Sequence, residues 1–368
     1  MTNVVIIGGG PVGLWTAIQL KKRIPHYQIR VYERYAVYQR SHVLRLDHWS
    51  LMLYASSAYD SPERQFIQAV TGKSLTGMRT QFTKSLYIRT NDLESALSTY
   101  AEQLGVEVVM QRIDSCKHAQ SLHPECALFI AADGAHSALR TDLFGPDCLE
   151  QETLQHVVEI KCEEEAAGLG RGIRLGTGEL WELNRSLRHT AAEYVGKPRN
   201  GKSPVTLRLF LDETEYSQLP AMSFKVPASL STPGLPEAVL QDIQMYLDAR
   251  ATRGTCLVAD SVRITKLELS VYAARQFAAL VDGQAWFLVG DAALGVPYFR
   301  ALNSGLMLAS RLSQIIGRTS YLQRGSLARK VFSYNTVHRP MHVATEFAIA
   351  KSKNLVLEGV HTVRGWSV

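Results

Sequence analysis

The sequence predicts an α/β chain in which a parallel-sheet domain is interrupted by an antiparallel-sheet insertion and finished by C-terminal helices. Three observations predict it. A four-residue apolar run, Val4 to Ile7, enters the turn Gly8-Gly9-Gly10-Pro11-Val12-Gly13 and is followed by a helical pattern. Two further apolar runs, Ala127 to Ala131 and Ala285 to Val289, lead into Asp133-Gly134 and Gly290-Asp291. Between them, residues 151–275 change to the alternating pattern of antiparallel strands.

The first run is β-branched throughout, which suits a strand buried on both faces, and its turn matches Gly-x-Gly-x-x-Gly. Gly8 would allow the turn, Gly10 would let a phosphate approach the backbone, and Gly13 would let the helix from Leu14 to Lys21 lie close to the strand. The N-terminus of that helix presents unpaired N–H groups to a pyrophosphate. A second strand, Gln28 to Tyr32, is closed by Glu33, twenty residues past Gly13, where a carboxylate can accept both hydroxyls of an adenosine ribose. Glycines in an ordinary loop with a surface glutamate are the plainer reading of the same residues. The completeness of the unit favours a Rossmann-like site for an adenine dinucleotide, and NAD and FAD both fit this half.

Composition sets the class. A chain of 368 residues exceeds one ordinary core, and 46% hydrophobic with 20% charged residues is an ordinary globular balance. The five cysteines are odd in number and lack a CxxC pair, so they predict inert thiols, with no disulfide frame and no metal site. No apolar run reaches the roughly 18 residues of a membrane span, and the start of the chain carries no secretory pattern, so a cytoplasmic protein is expected. The net charge of +6 is scattered, which argues against nucleic acid and suits an anionic cofactor or substrate.

In chain order, Arg34 to Leu46 follows the ribose-binding strand and puts Arg40 within reach of a bound dinucleotide, although a solvated arginine is the plainer reading. Ser85 to Arg89 predicts a strand, Asn91 or Asp92 a helix cap, and Leu93, Leu97, Tyr100, Ala101 and Leu104 a helix ended by Gly105. Val106 to Val109 completes another β-α-β step. The strand before Asp133-Gly134 delivers that pair to a sheet edge where ligands bind, and a short helix follows. In the insertion, Val157 to Cys162 and Thr206 to Leu211 predict strands, and Leu235, Val239, Ile243 and Leu247 a helix. Arg171, Arg174, Trp181, Arg185 and Arg188 form either a substrate-facing group or a solvated basic loop. After Gly290-Asp291, a helix is expected to start at Asn303-Ser304, and the remainder is helical with a break at Arg339-Pro340.

The ordered triple GGGPVG, AADGAHSALR and LVGDAA resembles the group A FAD-dependent monooxygenases, the single-component aromatic hydroxylases, over about the whole chain. The resemblance implies an FAD-binding domain over residues 1–150 and 276–320, an inserted antiparallel-sheet substrate domain over 151–275, and a C-terminal helical segment over 321–368. By it, Gly8, Gly10, Pro11, Val12, Gly13, Glu33 and Arg34 would hold the ADP half of FAD. Asp133 and Gly134 would serve the pyrophosphate and passing NAD(P)H. Gly290 and Asp291 would serve the ribityl chain, and Arg40, Arg89 and Asn303 would make other FAD contacts. Arg40, Pro297 and Tyr298 are the candidates near the flavin ring; no residue is assigned a catalytic role.

The implied activity is NAD(P)H-dependent hydroxylation or oxygenation of an aromatic or polycyclic small molecule by dioxygen through a flavin C4a-hydroperoxide. A protein substrate is the less favoured partner. Another FAD-dependent reductase or oxidase, or a non-catalytic FAD-binding effector, are the alternatives. The segment from Glu33 to Leu46, with Arg89, Leu93 and Gly105-Val106-Glu107, is also similar to the monooxygenase domains of MICAL proteins. One departure from the group A pattern stands out. Leu294 occupies the position of a histidine, and the run to Asn303 is bulkier than the family's glycine-rich loop.

Overall fold

The computed structural model describes residues 2–35, 43–47, 50–51, 86–166, 175–196, 198, 200–297, 300–317 and 327–365. Within it the chain forms two compact units, residues 1–152 with 271–350 and residues 153–270 with 351–368.

The first unit is built on β1 (Val4–Ile7), whose four side chains are all buried. It pairs in parallel with β2 (Ile29–Glu33) on one side and β6 (Leu128–Ala131) on the other. β5 (Glu107–Met110) extends the sheet beyond β2, and β13 (Gln284–Leu288) extends it beyond β6, both in parallel. β12 (Ala278–Val281) closes that edge antiparallel to β13. α1 (Pro11–Arg23) buries Leu14, Trp15, Ile18 and Leu20 and packs chiefly against α8 (Ala301–Gly317) and α2 (Thr90–Gln103). The Trp15 indole N–H donates to Ser310 Oγ of α8 at 2.8 Å, which satisfies the polar tip of a fully buried ring.

α2 starts two or three residues earlier than its sequence suggests. β4 (Leu86–Arg89), antiparallel to β3 (Val43–Leu46), runs directly into Thr90, and Arg89 is the N-cap without a side-chain hydrogen bond. Asn91 and Asp92 therefore lie inside the first turn, where an acidic group still complements the helix dipole. The interior positions follow the expected spacing, with Leu93, Leu97, Tyr100 and Ala101 buried. α3 (Cys116–Leu122) and α4 (Ala138–Phe144) are short, and each is capped by a serine, Ser115 and Ser137.

α8 begins at Ala301, two residues before the expected start, because the Ser304 amide already bonds the Arg300 carbonyl at 2.8 Å. α9 (Leu327–Ser333) is followed by a π-helical turn, Tyr334–His338, and then by α10 (Arg339–Gly365). The expected break at Arg339-Pro340 is not found: the chain stays helical through it, with Arg339 in helical conformation and its N–H bonded to the Tyr334 carbonyl. The turn has a purpose in the packing. It sets the fully buried Tyr334 hydroxyl on the Leu288 carbonyl at 3.2 Å and lets Asn335 Oδ1 accept from the Phe277 and Ala278 amides at 2.8 and 3.0 Å.

The second unit is an antiparallel sheet. β7 (Leu149–Ala166) pairs with β9 (Lys202–Leu211), so that Val157 faces Phe210 across the ladder, and β9 pairs with β8 (Thr190–Val195). β11 (Arg263–Ala274) neighbours β7 on the other side. One sheet face, with Val158, Ile160, Leu207 and Leu209, packs against Val239, Ile243 and Tyr246 of α7 (Glu237–Ala251).

The Gly/Arg-rich stretch between the first two long strands holds α5 (Thr177–Ser186) as well as β8. Arg171 and Arg174 lie outside the described residues. Arg185 pairs with Glu182, and Arg188 with Glu215 on α6 (Glu213–Gln218), while Trp181 is exposed.

Two buried ionic groups hold this unit. Arg250 donates to both Glu164 oxygens at 2.6 Å and to Glu193 Oε2, which also accepts from the Tyr246 hydroxyl at 2.8 Å. His189 bridges Asp242 Oδ2 at 2.8 Å and Glu215 Oε2 at 3.0 Å. Of the five cysteines, four are buried and Cys256 is exposed.

Candidate functional site

The three sequence motifs come together because their strands are neighbours in one register. Ile7 pairs with Ala131 and Ala131 with Leu288, so the turns after β1, β6 and β13 leave the sheet side by side at its C-terminal edge. In open α/β sheets this is the edge at which ligands bind.

The turn after β1 is closed to any side chain. Gly8 has φ of +109°, and a Cβ there would lie 2.3 Å from the Ala132 carbonyl oxygen of the neighbouring turn. At Gly13 a Cβ would fall 1.9 Å from the Gly8 carbonyl oxygen, so glycine is what lets α1 start against the strand end. Gly10 caps α1 without a side-chain bond, Pro11 has no N–H, and no acidic residue occupies the first turn. The Val12 and Gly13 amides consequently have no acceptor within the helix. They form an anion-receptive end.

Glu33, the last residue of β2, is set against this turn. Its Oε2 accepts from the Gly9 amide at 2.7 Å, and its Oε1 accepts from the Arg34 and Tyr35 amides at 2.8 and 3.0 Å. One carboxylate thus serves three backbone donors. The Arg34 side chain is exposed and lies over the Tyr35 ring.

After β6, Asp133 turns its carboxyl toward the start of α4. Oδ1 accepts from the Ser137 hydroxyl at 2.6 Å and Oδ2 from the Leu139 amide at 3.4 Å, while Gly134 takes φ of +89°. Burial raises this carboxyl above the usual range, and those hydrogen bonds act in the opposite direction.

Arg140 closes the second sequence motif, where it carried no assigned task. It is buried, and its Nη1 donates to the Ala292 and Asp291 carbonyls at 3.0 and 3.4 Å while Nη2 donates to the Ala135 carbonyl at 2.9 Å. The Tyr272 hydroxyl adds a 3.0 Å bond to the Asp291 carbonyl. Two motifs more than a hundred residues apart in sequence are thus joined by one guanidinium. The signal that could have found it is an arginine closing a strand-end motif, since its fork can join several carbonyls at once.

Asn303 sits in the first turn of α8 and is buried; its Oδ1 accepts from the Asp47 amide at 2.8 Å and the Ser50 hydroxyl at 2.6 Å. It does not cap the helix, because α8 already begins at Ala301. Pro297 is half-buried and its carbonyl accepts from the Arg300 amide at 3.3 Å. The Arg300 guanidinium makes a two-fold bond to Glu346 of α10 at 2.8 and 2.9 Å. Beside it the Ser304 hydroxyl meets His342 Nε2 at 2.9 Å, and burial holds that imidazole below its usual range. Arg89 ends β4 at the N-cap of α2 and is half-buried. Arg40 and Tyr298 lie outside the described residues, as do residues 36–42 of the segment between Glu33 and Leu46.

Among the described residues, no group of three or more His, Cys, Asp or Glu side chains could hold a metal ion, and no helix is long and apolar enough to cross a membrane.

No protein-family model matches the chain, and no curated protein does. Solved structures match it along its length. OxyS anhydrotetracycline hydroxylase from Streptomyces rimosus has a TM-score of 0.60 at 16% identity, over 99% of this chain and 72% of that one. CtdE in complex with FAD and a substrate has a TM-score of 0.57 at 13% identity, over 95% and 88%. The tetrameric form of 2-methyl-3-hydroxypyridine-5-carboxylic acid oxygenase has a TM-score of 0.54 at 14% identity, over 97% and 92%. The chain therefore has the fold of FAD-dependent, aromatic-hydroxylase-type monooxygenases.

Proposed function

We propose that this protein binds FAD and is a monooxygenase, taking electrons from NAD(P)H and transferring one oxygen atom of dioxygen to an aromatic or polycyclic small molecule. The observation that carries the reading is the row Ile7, Ala131 and Leu288, which sets three glycine- and aspartate-bearing turns at one sheet edge beside Glu33.

The residues fit the cofactor. Glycine at 8 and 13 lets the turn lie directly against its neighbouring turn and against the start of α1, the first amides of α1 would receive a pyrophosphate, and Glu33 would accept from ribose hydroxyls. When bound, the flavin supplies hydride acceptance and oxygen activation, chemistry that no protein side chain carries. The chain's own part is to hold and orient. Arg140 and Tyr272 fix the Asp291 carbonyl and with it the turn offered to the ribityl chain, and Asn303 ties the start of α8 to the segment after β3.

The second unit offers a group of matching chemistry for the substrate. On one sheet face Glu159 is paired with both Lys161, at 3.0 Å, and Arg208, at 2.7 Å, and the Arg208 guanidinium lies 5.4 Å from the Tyr194 ring. Two cations and an aromatic ring on one sheet face suit an anionic aromatic group.

The test is extraction of the flavin from purified protein, followed by anaerobic NADH and NADPH titration with a panel of aromatic acids and polycyclic phenols. FAD at about one per chain, with ligand-stimulated bleaching, is expected. Glu33→Ala should weaken FAD by about 1–3 kcal/mol, since a ribose would lose charge-assisted bonds. Recovery of FMN, or full FAD retention by the variant, would refute the assignment. Bound FAD that no nicotinamide bleaches with any ligand would instead favour a non-catalytic FAD-binding effector, in keeping with the departure at Leu294 to Asn303.

A further inference from the structure

The stretch that leads from α9 through the π-helical turn into α10 has an inner side packed on the first unit and an outer side in solvent. Every acidic, basic or imidazole side chain between Phe332 and Ala348 is engaged on the inner side. Arg311 donates to His338, Arg339 bonds the Ala274 carbonyl and Glu150, His342 meets Ser304, and Glu346 holds Arg300. The outer side is left without charge. Phe332 is 69% exposed, Val337 48% and Met341 64%, and Ala344 and Ala348 continue the line in solvent. Thr336, Pro340 and Thr345, exposed beside them, are uncharged as well.

Spacing and size together point to what covers this face. Val337, Met341, Ala344 and Ala348 follow one another at intervals of four, three and four, the seam along which one helix packs on another. A regular α-helix would turn Phe332, five residues before Val337, to a different side. The π-turn takes one more residue per turn and keeps Phe332 near the seam. The large side chains come first and the small ones last. A parallel copy would therefore set Met341 against Met341 and leave the alanines facing a gap. An antiparallel copy, with the twofold axis between Met341 and Ala344, lays Met341 of each chain over Ala344 of the other, and Val337 over Ala348. In the same register Phe332 reaches the turn of the second copy that exposes Lys351, an aromatic face for a cation.

The area is also sufficient. The line from Phe332 to Ala348 is about 25 Å long. Two such faces packed at the usual helix separation remove on the order of 1,000 Å² from water, where specific interfaces begin.

We propose that the outer face of α9, the π-turn and α10 is a homodimer interface, covered by the same face of a second copy of this chain running antiparallel to it.

The experiment is sedimentation equilibrium of the full-length protein at micromolar concentrations. The chains compared are wild type, Met341→Glu, Val337→Lys, Ala348→Glu and the double variant Val337→Lys/Ala348→Glu. Wild type should be a dimer. Met341→Glu should raise the dissociation constant at least about tenfold, since two unpaired carboxylates would enter the seam. Val337→Lys and Ala348→Glu should each weaken the dimer, and the double variant should recover most of the loss. Its two new charges meet across the axis, whereas on one helix they stand about 16 Å apart and cannot pair. The substituted positions lie in solvent in the single chain, so an unchanged circular dichroism spectrum separates a lost interface from a lost fold. Wild type that stays monomeric would overturn the proposal, and flotation of that monomer with phosphatidylserine vesicles would assign the face to a membrane surface instead. A dimer untouched by Met341→Glu would place the interface elsewhere. A double variant no tighter than its singles would overturn the antiparallel register.

Discussion

Raising the pH from 6 to 9 should loosen the antiparallel unit through one buried imidazolium. His189 is 4% exposed and stands between Asp242, at 2.8 Å, and Glu215, at 3.0 Å, with Arg188 bonded to the other Glu215 oxygen. Burial alone would lower its affinity for a proton, but the hydrogen bond to Asp242 and the charges of Glu215 and Asp242 outweigh it and raise the imidazole above 6.5. Asp242 is held below the usual carboxylate range by the same partnership and by the Arg188 and His189 amides, against its burial. A group raised in the folded state lends stability that is complete below its unfolded value near 6.5 and lost as pH climbs through the folded one.

Removing one partner of a buried ion pair costs roughly 3–5 kcal/mol. Here Asp242 would keep its two amide donors and Glu215 would keep Arg188, so His189→Leu should cost about 2–3 kcal/mol at pH 6. At pH 9 the difference should shrink, because wild type has by then lost the imidazolium. The assay is urea unfolding at both pH values, with hydrogen exchange of the β8 and α7 peptides to report this unit. Wild type equally stable at pH 6 and pH 9, or a variant with the same pH dependence as wild type, would refute the reasoning.

Two other substitutions test the first unit. Gly13→Ala places a Cβ 1.9 Å from the Gly8 carbonyl oxygen and should cost at least about 1–3 kcal/mol while lowering flavin content; wild-type melting with full flavin would show that α1 can move aside freely. Glu346→Ala strands the Arg300 guanidinium and should cost about 2–4 kcal/mol, discounted from the fully buried case because Arg300 is 21% exposed. The double variant Arg300→Met/Glu346→Ala should recover part of that loss in thermal melts, and additive losses would deny the coupling.

The binding edge is legible in the sequence because its signals are local. Val4 to Gly13, Ala127 to Gly134 and Ala285 to Asp291 each combine a buried strand with a turn that needs particular residues, so chain order alone predicts their shared edge. What stays hidden is non-local. Nothing near His189 announces Asp242, and nothing near Arg300 announces Glu346, because such pairs are chosen by the packing of α7 on β8 and of α10 against α8. The start of α8 escapes the sequence for a related reason. Asn303 has the chemistry of an N-cap, but its side chain accepts from Asp47 and Ser50, partners that only the fold supplies.

β6 borders β1 on one side and β13 on the other, yet more than 150 residues, including most of the second unit, separate its end from the start of β13. During synthesis at about 5–20 residues per second, the ribosome needs on the order of ten seconds to deliver the missing neighbour. Throughout that interval the nascent chain carries Leu128-Phe129-Ile130-Ala131 as an open apolar strand edge, the kind that recruits other chains. The antiparallel unit, whose strands are all made within it, can fold in the meantime. The edge formed by the three turns cannot. Its assembly waits for Trp286 to stack on Phe129, which makes the passage of the last quarter of the chain the moment at which aggregation and chaperone capture compete with folding.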